Sequence, residues 1–171
     1  FNLHTFIFVH YDKNGKQCSA VLKFGTPEFE KGFTTFMQKF YAHLEQKYGL
    51  APERVIIYTG DEPEGDINDP KSRMYRVNYL GRLVKKAVPR ASTATNPYPR
   101  QGINDKYFSD MRELCKNHNY MILLPQAQDP RIIKFFRERK MTIWTYLVLN
   151  KLVTPETYRK MFYDSYLRGA D

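Results

Sequence analysis

The Asn14-Gly15 dipeptide, set between two apolar runs, is the feature that most constrains the fold of this chain. The run "LHTFIFVHYD" precedes it and "QCSAVLKF" follows it, and both have the length and composition of strands. Asn-Gly favours positive φ at both central positions of a two-residue turn, and such a turn joins antiparallel strands. The sequence therefore predicts a β-hairpin from Leu3 to Phe24.

The rest of the chain carries further helix and strand patterns. Thr26 as N-cap, Pro27 in the first turn and Gly49 as C-cap delimit an amphipathic helix. Beyond it we predict a strand over "ERVIIYTG", a helix over "RMYRVNYLGRLVKKAV", a loop over "PRASTATNPYPRQG", a helix over "NDKYFSDMRELCKNHN" and a strand over "YMILLP". The tail segments "DPRIIKFFRERK", "TIWTYLVLN" and "TPETYRKMFYDSYLRG" predict three short helices.

This order of elements predicts an α+β fold. We expect a small mixed or antiparallel sheet opened by the hairpin, helices packed on one face, and a C-terminal three-helix appendage. A length of 171 residues favours one domain, in which residues 1–130 form the core and residues 131–171 the appendage. Because the chain begins at Phe1 rather than Met, we expect an excised domain of a larger protein.

Composition narrows the function classes. The net charge of +9 favours a polyanionic partner such as nucleic acid. The two cysteines, Cys18 and Cys115, lie far apart and form neither a disulfide framework nor a zinc pattern. We therefore expect a reducing compartment, cytoplasmic or nuclear. No apolar run reaches membrane-spanning length, so no membrane insertion is expected.

The stretch "PKSRMYRVNYLGRLVKKAVPR", residues 70–90, contains seven basic residues and no acid. Lys and Arg bind phosphates by releasing counterions, and interleaved aromatic rings can stack on bases. We predict a nucleic-acid-binding face over residues 70–100, made of a basic helix and the loop after it, with the hydroxyls of Ser92, Thr93 and Thr95 assisting. Its predicted side chains are Lys71, Arg73, Arg76, Tyr79, Arg82, Lys85, Lys86, Arg90, Tyr98 and Arg100. The alternative is a solvated helix face with no such role.

An acidic block, "GDEPEGDIND", comes immediately before the basic one. We expect Asp61 to Asp69 to lie near Arg73, Arg76 or Lys86 and to limit promiscuous binding of polyanions. A second hypothesis starts from the position of these acids after a predicted strand. Asp61, Glu62, Glu64 or Asp66 would hold Mg²⁺ together with substrate phosphates, as in a metal-dependent nuclease, nicking enzyme or nucleotidyl transferase. If the Mg²⁺ hypothesis does not hold, we expect no metal and no other cofactor. Of the two kinds of function, binding is favoured over catalysis.

A third hypothesis is a protein-interaction or assembly module whose basic face meets an acidic partner. The C-terminal helices are the predicted docking place for a protein. The short link "KLVT" between the last two also suits a helix-turn-helix, whose second helix would present Arg159, Lys160, Tyr163 and Arg168 to a DNA groove. Any short pair of packed helices has the same sequence pattern, so both interpretations stay open.

Two tyrosines lie inside the basic block. The stretch "YRVNYLGR", with Tyr75 and Tyr79, resembles the tyrosine motif of rolling-circle replication initiators, in which tyrosines on a helix attack DNA. The resemblance covers only this stretch and implies a replication or mobile-element protein. That family also places paired histidines on a metal-binding strand, a spacing that His4, His10, His43 and His118 lack, and Asn78 stands where it usually has lysine. Spacing at i, i+4 equally predicts that the two rings pack together.

Overall fold

The computed structural model describes residues 5–146 and 154–170, apart from the side chains of residues 5–10, 20 and 126. The predicted α+β class is confirmed. The elements are β1 (Thr5–Tyr11), β2 (Gln17–Lys23), α1 (Pro27–Tyr48), β3 (Ile56–Asp61), α2 (Arg73–Ala87), β4 (Ser92–Asn96), α3 (Asp105–Cys115), β5 (Tyr120–Leu123), α4 (Pro130–Glu138), β6 (Thr142–Thr145) and α5 (Pro155–Leu167). None of these described helices is long and apolar enough to cross a membrane.

The chain divides into two compact units. The first contains Phe1–Val55 and Arg82–Ala91, and the second contains Ile56–Gly81 and Ser92–Asp171, as far as these residues are described. Helix α2 therefore passes from the second unit into the first after Gly81. The expected boundary between a core up to residue 130 and an appendage after it stays a prediction.

The first unit contains the predicted hairpin. Strands β1 and β2 pair antiparallel, with Tyr11 opposite Gln17. The turn is longer than the predicted two residues, since residues 12–16 connect the strands. Of the Asn14-Gly15 pair only Gly15 has a positive φ, at 75°. The carboxylate of Asp12 accepts hydrogen bonds from the backbone N–H groups of Asn14 and Lys16, at 2.8 and 2.9 Å, and so fixes the loop.

Helix α1 has the predicted caps. The Thr26 hydroxyl accepts a hydrogen bond from the Phe29 N–H, and Gly49 ends the helix in the left-handed conformation. Its buried face consists of Phe29, Phe33, Met37 and Tyr41. The Tyr41 hydroxyl donates to the backbone oxygen of Val55 over 3.1 Å, so the ring's polar end is satisfied where its body is buried.

The second unit is built on a four-stranded parallel sheet in the order β3-β4-β5-β6. A helix connects each strand to the next, and right-handed crossovers place all such helices on the same face. One apolar core joins side chains of α2, α3 and α4 to those of β5 and β6, including Val77, Met111, Phe136, Met121 and Ile143. The prediction of helices on one face is confirmed.

The arrangement of strands differs from the expected mixed or antiparallel sheet opened by the hairpin. The hairpin is a separate two-stranded sheet, and the four other strands are parallel. The physical reason lies in the connections, since a helix between strands provides the long crossover that parallel pairing requires.

The predicted loop over residues 89–102 contains a strand, and the prediction is wrong at β4. All five residues of β4 are buried. Their small polar side chains bond to neighbouring backbone. The Thr93 hydroxyl donates to the backbone oxygen of Asn117, between α3 and β5, over 2.6 Å, and the Thr95 hydroxyl donates to that of Gly60 in β3 over 2.9 Å. Composition that suits a turn is also compatible with a strand when neighbours satisfy the hydroxyls.

The predicted C-terminal three-helix appendage is wrong at its middle segment. Thr142–Thr145 form β6, which pairs in parallel with β5. The β-branched side chains of Thr142, Ile143 and Thr145 suit a strand, and pairing with β5 decides between the two states. The helix-turn-helix interpretation fails with it, and residues 147–153 lie outside the described part of the chain. The helices before and after, α4 and α5, are confirmed.

A buried histidine ties the second unit together. His118 is 3% exposed, and its Nδ1 donates to the backbone oxygen of Leu114 over 2.9 Å. Its Nε2 lies 2.8 Å from the Thr59 hydroxyl, which is also 3.1 Å from the backbone oxygen of Ala94. Gly81 lies against the same ring: a Cβ there would be 2.8 Å from Cε1 of His118. The ring thus links α3 to β3, and the Thr59 hydroxyl extends the contact to β4. On its other side the ring leaves α2 room for glycine alone.

We predict that Gly81→Ala lowers the free energy of unfolding by about 1–3 kcal/mol, as overpacking does. At an ordinary helix position the change would raise it by roughly 0.5–1 kcal/mol. Urea unfolding measures the difference. In a His118→Ala background the same substitution should lower the free energy of unfolding clearly less, because the ring that a Cβ would meet is absent. A stabilising Gly81→Ala in the otherwise native chain would contradict the close contact.

Candidate functional site

Polar side chains collect where the parallel strands end. In open sheets flanked by helices, ligands bind outside the carboxyl ends of the strands. Asp61 ends β3, Asn96 ends β4, and Tyr146 directly follows β6. Gln128, a few residues after β5, donates to the Thr145 hydroxyl at the end of β6 over 2.9 Å. We call this region the carboxyl edge.

The side chain of Asn96 bridges the carboxyl edge. It is 3% exposed, and its Nδ2 donates to the Tyr146 hydroxyl over 2.7 Å. Its Oδ1 accepts a hydrogen bond from the backbone N–H of Glu62. Beside it the Tyr58 hydroxyl donates to the Asp61 carboxylate over 2.9 Å. One amide therefore joins the ends of β3, β4 and β6.

Glu62 has an unusual backbone. Its φ is 37°, in the left-handed region that non-glycine residues seldom adopt. The hydrogen bond from its N–H to Asn96 holds this conformation. Backbone held in such a region is typical of functional sites, where the surrounding structure maintains it.

The tyrosines at the carboxyl edge are not activated. Burial is the main cause that raises the pKa of Tyr58, and the hydrogen bond to Asp61 raises it further. Burial is also the main cause that raises the pKa of Tyr146, and the negative charge of Asp61 adds to it. Away from the edge, burial raises the pKa of the Cys115 thiol to about 12. All three groups stay protonated at neutral pH and are poor nucleophiles in that form.

A cleft of about 510 Å³ lies in the second unit, bordered by the acidic block, the loop after β4 and the first turns of α3. We call it the 63–110 cleft. Its volume is within the usual range for ligand sites. Both signs of charge line it: Glu64, Asp69, Asp110, Lys71, Arg73, Arg100 and Lys106.

The carboxylates of the acidic block pair mainly with cations outside the basic helix. Arg100 pairs with Glu62 and, over 2.8 Å, with Glu64. The hydrogen bond that Arg100 donates to the Glu62 carboxylate, ahead of other causes, raises the pKa of Arg100. Lys106 lies 3.4 Å from Asp66.

Of the predicted neighbours of the acidic block, Arg73 lies at it and donates to the backbone oxygen of Asp61 over 2.8 Å. Lys86 instead pairs with Glu30 within the first unit. Among the residues the structure describes, no group of three or more His, Cys, Asp or Glu side chains is placed to hold a metal ion. The Mg²⁺ hypothesis therefore gains no support from the acids after β3.

The predicted nucleic-acid residues divide into groups. Lys71, Arg73, Tyr98 and Arg100 line the 63–110 cleft. Arg76 and Tyr79 are 8% and 7% exposed, and Tyr79 stacks on Tyr75 with 5.9 Å between ring centroids. The predicted packing of that tyrosine pair is confirmed.

The other four predicted cations belong to the first unit: Arg82, Lys85, Lys86 and Arg90. Lys85 donates to the backbone oxygen of Ala91 over 2.6 Å, and Arg90 pairs with Glu53, with Nη2 3.0 Å from Oε2. The hydroxyls of Thr93 and Thr95, expected to assist, donate to the backbone oxygens of Asn117 and Gly60. Whether all ten residues contact nucleic acid stays a prediction.

Sequence reasoning missed Tyr58, Asn96, Lys106 and Tyr146. Their shared signal is position, since Asn96 ends a strand, Tyr146 directly follows one and Lys106 is in the first turn of α3. Recognising β4 and β6 as strands would have pointed to both edge residues, because strand ends of a parallel sheet meet at one side.

Comparison with known proteins adds no family to this picture. No protein-family model matches the chain, and a search of curated proteins finds no match. The function is therefore inferred from the residues and their geometry.

We predict that Asn96→Ala lowers the free energy of unfolding by about 1–3 kcal/mol, because the Glu62 N–H and the Tyr146 hydroxyl lose their partner. Urea unfolding checks this, with Asn68→Ala as the matched control. Asn68 is exposed and bonded only to the neighbouring Asp66 in the contacts described, so its loss should change the value by less than about 0.5 kcal/mol. Equal effects at both positions would show that the bridge adds nothing.

Proposed function

We propose that the protein binds nucleic acid at the carboxyl edge, with Lys71, Arg73 and Arg100 of the 63–110 cleft contacting phosphates and the ring of Tyr98 contacting a base. The observation that supports this is the convergence of Lys71 and Arg73 with the distant Arg100, from two separate parts of the sequence, on one cleft open to solvent. Guanidinium groups fit phosphate oxygens through paired hydrogen bonds.

The charge of the molecule supports a polyanion as ligand. The chain carries a net charge of +9, which attracts polyanions over a distance and speeds their association. Contacts to phosphates do not depend on sequence, so we expect affinity to fall steeply as salt rises.

The acidic block gives the cleft a competitor for phosphate. In the free protein Glu62 and Glu64 hold Arg100. A phosphate must exchange with these carboxylates, so a weakly held anion does not displace them. This geometry supports a restraint on promiscuous binding, exerted on Arg100 rather than along the basic helix.

A second candidate function, docking of a protein on α5, rests on a separate observation. Phe162, Tyr163, Tyr166 and Leu167 are 50%, 62%, 70% and 64% exposed. Apolar side chains at three- and four-residue steps on an exposed helix suit an interaction surface. A role in replication or in a mobile element stays a prediction from the tyrosine motif.

The first test of nucleic-acid binding replaces the three cleft cations by glutamine: Lys71→Gln, Arg73→Gln and Arg100→Gln. We expect binding of a labelled single-stranded oligonucleotide to weaken by more than about tenfold. The plot of log affinity against log salt should become shallower by about 2, since each lost phosphate contact on a single strand removes about 0.7. Fluorescence anisotropy at several salt concentrations measures both.

The matched control removes the same charge elsewhere in the second unit, by Arg112→Gln, Lys116→Gln and Lys134→Gln, all exposed positions outside the cleft. It should weaken binding far less. A third variant, Arg82→Gln with Lys86→Gln and Arg90→Gln, tests the basic helix. A larger loss there than in the cleft variant would contradict the proposed position of the site.

The double variant Glu62→Gln with Glu64→Gln tests the restraint. We expect it to tighten binding several-fold, because Arg100 loses its competing carboxylates. The melting temperature should hardly change, since the pairs are exposed on the Arg100 side. Weaker binding would show that the carboxylates contribute to the site rather than restrain it, and unfolding would show a structural role.

A further inference from the structure

One face of the parallel sheet carries aromatic side chains on three strands. Tyr58 of β3 is in register with Ala94, and Ala94 with Tyr120 of β5. Register partners in neighbouring strands point to the same side. Ile122, two residues after Tyr120, is in register with Trp144 of β6. We call Tyr58, Tyr120 and Trp144 the aromatic face.

The aromatic face is opposite the helix-covered face. Met121 directly follows Tyr120 in β5, and Ile143 directly precedes Trp144 in β6. Both are in the core that α2, α3 and α4 cover. Successive side chains of a strand point to opposite sides. The neighbours Tyr120, Ile122 and Trp144 therefore point away from that core.

The aromatic face is open to solvent. Tyr58 is 48% exposed and Trp144, the single tryptophan of the chain, is 39% exposed. Tyr120 packs beside Trp144 with 4.8 Å between ring centroids and a 52° tilt. All-parallel sheets are usually covered on both faces, so exposed rings on one of them mark a surface for a ligand.

The aromatic face continues into the proposed phosphate site. The Tyr58 hydroxyl donates to Asp61, and the guanidinium of Arg73 donates to the backbone oxygen of the same residue. Asp61 is followed by Glu62, which pairs with Arg100. A chain of direct contacts thus leads from exposed rings to two cations that line the 63–110 cleft.

We propose that the aromatic face stacks the bases of single-stranded nucleic acid while Arg73 and Arg100 hold its backbone. Rings beside a cationic groove are the combination that binds single strands, because every base has a flat face to stack. A duplex keeps its bases inside and offers the rings nothing to stack on. This inference rests on the proposed function and specifies its ligand as single-stranded.

Trp144 provides a direct readout, since a base stacked on its ring quenches its emission. Three probes are titrated into the full chain at low salt: a single-stranded oligothymidine, a duplex of the same length, and inorganic polyphosphate, which has charge but no bases. We expect the single strand to quench the emission strongly. The duplex and polyphosphate should leave it nearly unchanged even where anisotropy competition shows that they bind.

Two matched variants place the effect on the sheet. Tyr58→Leu removes an exposed ring from the aromatic face, and Tyr163→Leu removes an exposed ring from α5. We expect the first to weaken single-strand binding by about tenfold, the usual scale for one stacked base. Duplex binding should change little. The second should leave both affinities unchanged, and circular dichroism checks that both variants fold.

The outcomes separate this inference from the function on which it rests. Binding of single strand and duplex with equal affinity and no quenching would overturn stacking on the sheet and leave phosphate binding intact. A larger loss in Tyr163→Leu than in Tyr58→Leu would overturn the aromatic face and favour α5. No binding of any probe would overturn the proposed function itself.

Discussion

The amide of Asn96 is the interaction on which the proposed site depends. It joins the Glu62 N–H to the Tyr146 hydroxyl from a buried position at the end of β4. With this bridge in place, Glu62 keeps its left-handed backbone and pairs with Arg100. The amide thus sets the position of the carboxylate that, in the proposed function, competes with phosphate for Arg100. Asn96 itself lies too deep to meet a large ligand.

The parallel sheet explains why binding groups gather at one side. Its helices cover one face with an apolar core and leave exposed rings on the other. All strands end at the same edge, where cations from the basic block, from the loop after β4 and from α3 line the cleft. A polyanion would meet charge at the edge and flat rings beside it, which is how phosphate affinity and base stacking combine.

Local signals predicted much of the fold, and long-range pairing accounts for what was missed. Helix α1 was predicted together with both of its caps, because Thr26 and Gly49 each cap the helix turn next to them. Strands β4 and β6 were missed because their short segments become strands only by pairing with β5. The site divides in the same way. Arg73 and Arg100 were predicted because they are charged residues of a basic segment. Asn96 was not predicted, because its role arises only when distant strands lie side by side.

Photo-crosslinking tests the central claim that nucleic acid binds at the carboxyl edge and on the open sheet face. A single-stranded oligonucleotide carrying 5-iodouracil is irradiated with the native chain, and the modified peptides are identified by mass spectrometry. The account predicts crosslinks at Tyr58, Tyr98 or Trp144. Crosslinks confined to α5, or to the residues of the first unit between Arg82 and Ala91, would contradict it.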